Sequence, residues 1–382
     1  MQVGKNKLRV LVLGAGFGGL EIAATLSERI GDGLDLTLID KNESFFFGYS
    51  KLDVMFWRQS AKSVKHSYRQ INKPGVQFRQ ETITSIDPVS RRVTTQSGAY
   101  DTDVLVIALG ADYNIGATPG LAEAGHEFYT FNGAEKVRDI LPTFKKGHVI
   151  VGVCSFPFKC PPAPSETALL LHEYLVRQGV RKNCDISLVV PFELPIPPSY
   201  GTSKALLKAF RKKNISYIPD MMVGSIDAKR KVAELDDGRE MPFDLFLGIP
   251  EHCVSGVVEQ SGLVFDEWIP VNKHSMLTKF PNVYAIGDVA STGIPKSGSF
   301  AAGAARSAAE HIIAEYEGHD FTMGYDGTGS CYVEFGEGMV GRADVDFYTK
   351  STATGIHRGV STTLADEKRS IGERNKARWF GN

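Results

Sequence analysis

The chain has 382 residues, more than a single hydrophobic core usually organises, so two or three domains are expected. Hydrophobic residues make up 42% and charged residues 23%, the balance of a globular protein rather than a disordered one. Lys plus Arg number 43 against 44 Asp plus Glu, so no net field recruits nucleic acid or an anionic membrane. No stretch approaches the roughly 18 apolar residues of a spanning helix. The opening MQVGKNKLRVLVLG runs straight into a strand without secretory-signal features, which points to the cytoplasm and, at most, to a peripheral place on the inner face of the membrane.

In chain order, residues 8–13 (LRVLVL) are a continuous apolar run, as in a strand buried on both faces. Residues 18–30 carry a helical period, and 34–40 (LDLTLID) form a second strand, completing one βαβ unit. Residues 76–96 alternate and contain turn signals, which predicts a small antiparallel excursion before a buried strand at 103–109. A second cycle begins near 147: strand 148–153, helix 165–178, strand 185–191, basic helix 201–213, then short strands and turns over 215–249. The pattern returns with strand 280–290 and an Ala-rich helix at 299–317. Residues 319–382 are rich in Gly, Thr and aromatics, with helical period only at about 363–378.

Gly14, Gly16 and Gly19 satisfy GxGxxG between the first strand and its helix, with Gly18 inside the motif. The first glycine makes the turn, the second lets backbone approach a pyrophosphate, and the third lets helix pack close to strand. The helix N-terminus then favours the phosphate charge. Asp40, followed by Lys41, ends the second strand about 26 residues on and supplies the acidic group for ribose hydroxyls. This motif does not by itself separate FAD from NAD.

The equivalent place in the second cycle has no such motif. It reads Gly152-Val-Cys154-Ser-Phe156-Pro-Phe158-Lys-Cys160-Pro-Pro-Ala-Pro164-Ser-Glu166, with no glycine after Gly152. Its prolines remove N–H donors that a phosphate needs, and its phenylalanines stand where backbone must approach a diphosphate. NAD(P)H is not expected to dock there in the usual way.

Other segments carry a family resemblance. Leu105–Ala111, with Ala108 and Gly110, and Tyr284-Ala-Ile-Gly287-Asp288 resemble the FAD-contacting segments of flavoproteins with two dinucleotide-binding domains. PFKCPPAPSE around Cys160, Pro295-Lys296-Ser-Gly298, and Gly329-Ser-Cys331-Tyr-Val-Glu334 resemble segments of the sulfide:quinone oxidoreductases and of the flavoprotein subunit of flavocytochrome c sulfide dehydrogenase. The resemblance covers nearly the whole chain. It implies an α/β fold of two Rossmann-like domains in a glutathione reductase-like arrangement with a C-terminal cap: 1–113 plus 255–318 for FAD, 114–254 for the second domain, and 319–382 for the cap.

It also implies FAD as cofactor, sulfide as substrate, and a redox pair of Cys160 and Cys331, with electrons leaving to a quinone or another acceptor such as a cytochrome. Glu166 is implied as a proton-handling group near the sulfur, and Lys296 as a cation beside the flavin. Asp288 would meet the flavin ribitol. An NADH:quinone oxidoreductase is disfavoured by the missing glycines, and a flavin-containing redox sensor is the non-enzymatic alternative. Residues 111–147 lack the further redox cysteine that many of these relatives carry, which leaves covalent flavin attachment open. Cys154 is a strand-end residue or an alternative partner, while Cys184 and Cys253 are expected to be structural. No Cys/His cluster has metal-ligand spacing. Phe45–Phe47 are expected in the core, and the oligomeric state stays open. The charged stretch 363–378 lacks the apolar face of a membrane anchor, so a quinone route would use exposed cap aromatics such as Phe335 or Phe347.

Overall fold

The computed structural model describes residues 7–322 and 324–381. Leu8–Leu13, Phe17–Ile30 and Leu34–Asp40 form the opening strand, helix and strand. Val10 and Val12 face one core cluster while Leu11 and Leu13 face another. Both faces of the opening strand are therefore covered, and its sequence is apolar throughout instead of alternating.

Five parallel strands make the first sheet, in the order Val283–Ala285, Val104–Ile107, Leu8–Leu13, Leu34–Asp40, Val76–Gln80. A second parallel sheet repeats the scheme: His126–Glu127, Leu245–Ile249, Gly147–Val153, Cys184–Val189, Ile215–Ile218. Each has a three-stranded antiparallel companion, within 83–101 and 223–242 respectively. The excursion expected at 76–96 thus starts later. Val76–Gln80 is an edge strand of the parallel sheet, and its half-covered alternation mimics a hairpin strand. The two parallel sheets are joined by an antiparallel pair, Asp112–Asn114 with Glu251–Cys253.

The Ala-rich helix Gly298–Glu317 lies against Phe17–Ile30. Ala304, Ala305, Ala308 and Ala309 share a cluster with Ala23 and Ala24, so small side chains allow the two helices to approach closely. The chain then forms an antiparallel sheet of Thr328–Gly336, Met339–Asp346 and Thr354–Ser361, and ends in the helix Thr362–Phe380.

That terminal helix is charged, but its end is buried. Trp379 and Phe380 are each 1% exposed. The Trp379 indole N–H donates to buried Glu21 (2.6 Å), and Arg378 donates to Glu21 and Glu28. Trp379 also contacts Phe17, Phe45 and Phe47 edge-on or stacked. Phe45 and Phe47 are therefore core, whereas Phe46 lies against Phe131. Of the cap aromatics, Phe335 is buried and Phe347 is half-covered against Phe300, so neither presents an open ring to a quinone. No helix among the described residues is long and apolar enough to cross a membrane.

Candidate active site

The glycine loop separates the roles of its residues. Gly14 has φ +98°, and a Cβ there would lie 2.4 Å from the Ala108 carbonyl oxygen. At Gly19 an added Cβ would lie 1.8 Å from the Gly14 oxygen, so helix and strand pack without room for a side chain. Gly16 is different: its backbone is extended, and nothing lies within 4 Å of an added Cβ. This open cradle at a helix N-terminus fits a pyrophosphate. Gly18 is buried against Ile286, which makes it a packing position in this structure. Asp40 accepts from the Ala15 N–H (2.8 Å) and the Asn42 N–H (2.8 Å), which fixes its carboxylate beside the loop. Lys41 is exposed, while Ala108 is buried, with its N–H donating to Leu13 O (2.7 Å). Gly110 (φ +68°), like Gly16, has open space beyond its Cα.

Gly287 and Asp288 follow the strand Val283–Ala285 in a short turn. Lys296 donates to the Asp288 carbonyl (2.6 Å) and sits 3.3 Å from the Trp268 ring centroid. Burial lowers its ammonium to about 8, with Asp288 opposing. Lys159 was not singled out from the sequence. Its Nζ donates to the Ala111 carbonyl (2.9 Å) and lies 3.9 Å from the Asp288 carboxylate.

Cys160 precedes the helix Ala163–Arg177. The helix begins two residues earlier than expected because Pro164 is tolerated in a first turn, where no N–H is needed. Cys160 itself is in the left-handed region (φ +55°), uncommon for a residue with a Cβ. Two backbone bonds hold it there: its N–H donates to Lys296 O (2.7 Å), and its C=O accepts from Ala163 N–H (2.8 Å). The first of these ties the cysteine loop directly to the Lys296 loop. Cys331 comes from the cap strand Thr328–Gly336, which lies on that same helix.

All five cysteines are free thiols. Burial raises the Cys160 thiol, and Glu166 and Cys331 raise it further, against the pull of Lys368 and Lys51. Cys331 is pushed up to about 12 by burial, Glu166 and Asp344. Two sulfurs 171 positions apart in sequence are thus within electrostatic reach of each other and of one buried carboxyl.

Glu166 accepts from the Glu334 N–H (2.9 Å). Lys368, on the terminal helix, lies 2.9 Å from Glu334 and 3.8 Å from Glu166. Arg58 reaches both Glu334 and Asp53 at 3.3 Å. Burial raises the Glu166 carboxyl, with Lys368 opposing. Burial also acts against ionisation of Glu334, but Lys368 and Arg58 outweigh it and hold that carboxyl below its ordinary range. Sequence reading assigned no role to Arg58 or Lys368, and met Glu334 only as the end of the Cys331 segment. Their partners are far away in the chain, and only a run of charge marks Lys368.

Cys154 packs against the Ile150 and Phe246 cluster, while Cys160 packs against that of Val149 and Val151. These clusters lie on opposite faces of one strand, which removes Cys154 from the sulfur site. Cys184 is buried beside the Val180 carbonyl, and Cys253 lies in the antiparallel link between the sheets.

His252 is buried between Tyr113 and Tyr129. Its Nδ1–H donates to Pro250 O (2.9 Å), and its Nε2 has no hydrogen-bond partner among the described residues. Burial and Lys159 lower it to about 3. The ordinary value is about 6.5, so between pH 6.5 and 3 the unfolded chain holds a proton that the native ring refuses. Its stabilising contribution is complete above that window and is lost as pH falls through it. Thermal melts from pH 7.5 to 4 are expected to show a steeper loss of Tm in wild type than in His252→Asn. Parallel slopes would show that His252 carries none of the acid sensitivity.

A family model described as pyridine nucleotide-disulphide oxidoreductase matches residues 8–155 and 166–309. The stretch left between them, 156–165, holds the Cys160 loop and the first residues of the helix Ala163–Arg177. The mouse mitochondrial sulfide:quinone oxidoreductase is 26% identical over 92% of this chain and 80% of its own length. The solved structure of the sulfide:quinone oxidoreductase from Aquifex aeolicus superposes with a TM-score of 0.85 at 22% identity, covering 98% of this chain and 92% of that one. A type II NADH:quinone oxidoreductase of Staphylococcus epidermidis is 35% identical, but over only 28% of this chain and 27% of its own. The α/β fold with two dinucleotide-binding folds is thus shared across long flavoprotein chains, and the open cradle at Gly16 fits the pyrophosphate of FAD. FAD is the cofactor of this flavin-dependent oxidoreductase, and the chain belongs to the pyridine nucleotide-disulphide oxidoreductase family.

Proposed function

We propose that the protein oxidises sulfide, or a related thiol or persulfide, with Cys160 and Cys331 as its redox pair and a quinone as electron acceptor. The observation that carries this reading is that the strand bearing Cys331 lies on the helix that follows Cys160 and is tied to it by the Glu334 N–H donating to Glu166 (2.9 Å), with Cys160 hydrogen-bonded to the Lys296 loop. The named relatives that align over most of the chain, sulfide:quinone oxidoreductases, support it.

In the oxidised pair, hydrosulfide attacks one sulfur. A new S–S bond forms to the incoming sulfur, the Cys160–Cys331 bond breaks, and the other sulfur leaves as a thiolate. Gly14, Gly16, Gly19, Asp40, Gly110, Asp288 and Lys296 would hold FAD, which would supply the two-electron acceptor needed when the two cysteine thiolates re-form the Cys160–Cys331 bond, the electron pair then leaving to the quinone. Further sulfide attacking the outer sulfur of the persulfide breaks that S–S bond, carries the sulfur away as the shortest polysulfide and leaves the second cysteine as a thiolate, with Glu166 holding or releasing the accompanying proton. In this reading the segments 1–113 and 255–318 hold FAD, 114–254 brings the first sulfur, and the cap 319–382 brings the second.

The test is anaerobic. Sulfide is expected to bleach the flavin absorbance within seconds, and quinone to restore it. NADH and NADPH at equal concentration are expected to leave it unchanged, because Phe156, Phe158 and Phe192 cluster where the second glycine loop would lie. Fast bleaching by NADH with none by sulfide would move the protein to the NADH:quinone class. Reoxidation by cytochrome c but not by quinone would replace the acceptor.

A further inference from the structure

We propose that Lys159 is a positioning residue of the flavin site, whose ammonium directs the Asp288 carboxylate and ties the cysteine loop to the loop that holds FAD. The proposal rests on reading Asp288 as a contact of FAD.

Lys159 immediately precedes Cys160 and is anchored at both ends. Its carbonyl accepts from the Tyr129 hydroxyl (3.0 Å). Its Nζ donates to Ala111 O (2.9 Å), lies 4.6 Å from the Tyr113 ring centroid and stands 3.9 Å from the Asp288 carboxylate. One ammonium thus joins three segments: the stretch after the strand Val104–Ile107 that carries Gly110 and Ala111, the turn at Asp288, and its own loop with Cys160.

These contacts close a ring. Cys160 N–H donates to Lys296 O (2.7 Å), and the Lys296 ammonium donates to Asp288 O (2.6 Å). The Asp288 carboxylate faces Lys159, which is joined to Cys160 by a peptide bond. Asp288 is therefore held at two points. Lys296 fixes the backbone of its turn, and Lys159 acts on its side chain.

That side chain is otherwise uncommitted. Among the described residues, no hydrogen bond reaches the Asp288 carboxylate, and Lys159 is the one cation within ion-pair distance of it. At 3.9 Å the ammonium is an ionic neighbour beyond hydrogen-bond range, so the carboxylate oxygens stay open to hydroxyl donors such as those of a ribitol chain. The carboxylate is only 18% exposed, and a charge so covered needs a compensating one. Burial opposes the Lys159 ammonium, but Tyr113 and Asp288 outweigh it and hold the group above its ordinary range. The pair is thus charged on both sides at neutral pH, and without Lys159 nothing else keeps the carboxylate in place.

The experiment follows the flavin in the FAD-loaded protein. All variants are held at one temperature below their melting points, taken from circular dichroism, and the rate at which flavin fluorescence rises is recorded. In Lys159→Met the rise is expected to be about tenfold faster than in wild type, and in Lys159→Arg to stay within about twofold of it. Lys159→Gln keeps a donor to Ala111 O without the charge. It should match Lys159→Met, and it decides the matter if the Met variant does not fold. A Gln rate equal to wild type would assign the role to the Ala111 bond and overturn the proposal. Asp288→Asn should also be faster, and adding Lys159→Met to it should change nothing further, because Lys159 acts through that carboxylate. Effects that multiply in the double variant overturn the proposal. An Asp288→Asn rate equal to wild type removes Asp288 from the flavin site, and with it the underlying reading. A fast Asp288→Asn beside a wild-type rate in Lys159→Met removes the role of Lys159 alone.

Discussion

Cys160→Ser and Cys331→Ser are each expected to stay yellow and to lose reduction by sulfide, with the bleaching rate falling on the order of a thousandfold or more. Serine is close in size to cysteine and keeps the backbone bonds from Cys160 to Lys296 and Ala163 and the strand register of Cys331 opposite Ala343. Neither residue belongs to the glycine loop, so flavin occupancy should hold. The chemistry cannot survive in the same way, because serine forms no S–S bond for hydrosulfide to open. The two variants should be equally inactive, and the double variant no worse, since either change removes the disulfide on which the proposed mechanism depends. Turnover near wild type in either variant, with FAD bound, would rule out the pair as the redox centre.

Gly16→Val is expected to give soluble, folded, colourless protein. The Gly16 backbone is extended, and an added Cβ meets no protein atom within 4 Å, so the fold has no objection to the side chain. The branched side chain instead fills the space a pyrophosphate must enter. Gly19→Val is expected to behave differently, because its Cβ would sit 1.8 Å from the Gly14 carbonyl oxygen and the helix cannot stay on the strand. It should be insoluble or melt far below wild type. The pair separates binding from folding within one motif: flavin absorbance per protein and circular dichroism are read for both. Full flavin occupancy in Gly16→Val would show that the pyrophosphate lies elsewhere.

Much of this protein can be read locally. Leu8–Asp40 is legible because each signal needs only its neighbours: a strand covered on both faces is continuously apolar, a helix has its own period, and the glycines sit at the junction. The second cycle is legible for the same reason, and the absence of glycines after Gly152 is itself a local fact. Val76–Gln80 was misplaced because an edge strand covered on one face alternates as a hairpin strand does.

Other features have no local signal. The sequence by itself determined the two βαβ cycles, the dinucleotide-type glycine loop and the two cysteine segments. Only the tertiary structure decided that the charged terminal helix is partly interior: Lys368 meets Glu166 and Glu334, and Trp379 closes on Glu21, 358 positions away. It also decided that Lys159 turns to Ala111 and Asp288, and that Cys154 packs on the opposite side of its strand from Cys160. The physical reason is that a buried charge is tolerated only when another group compensates it. Hydrophobic periodicity repeats along the chain, but a compensating carboxylate comes from wherever folding brings one, so a lysine's partner is not written beside it.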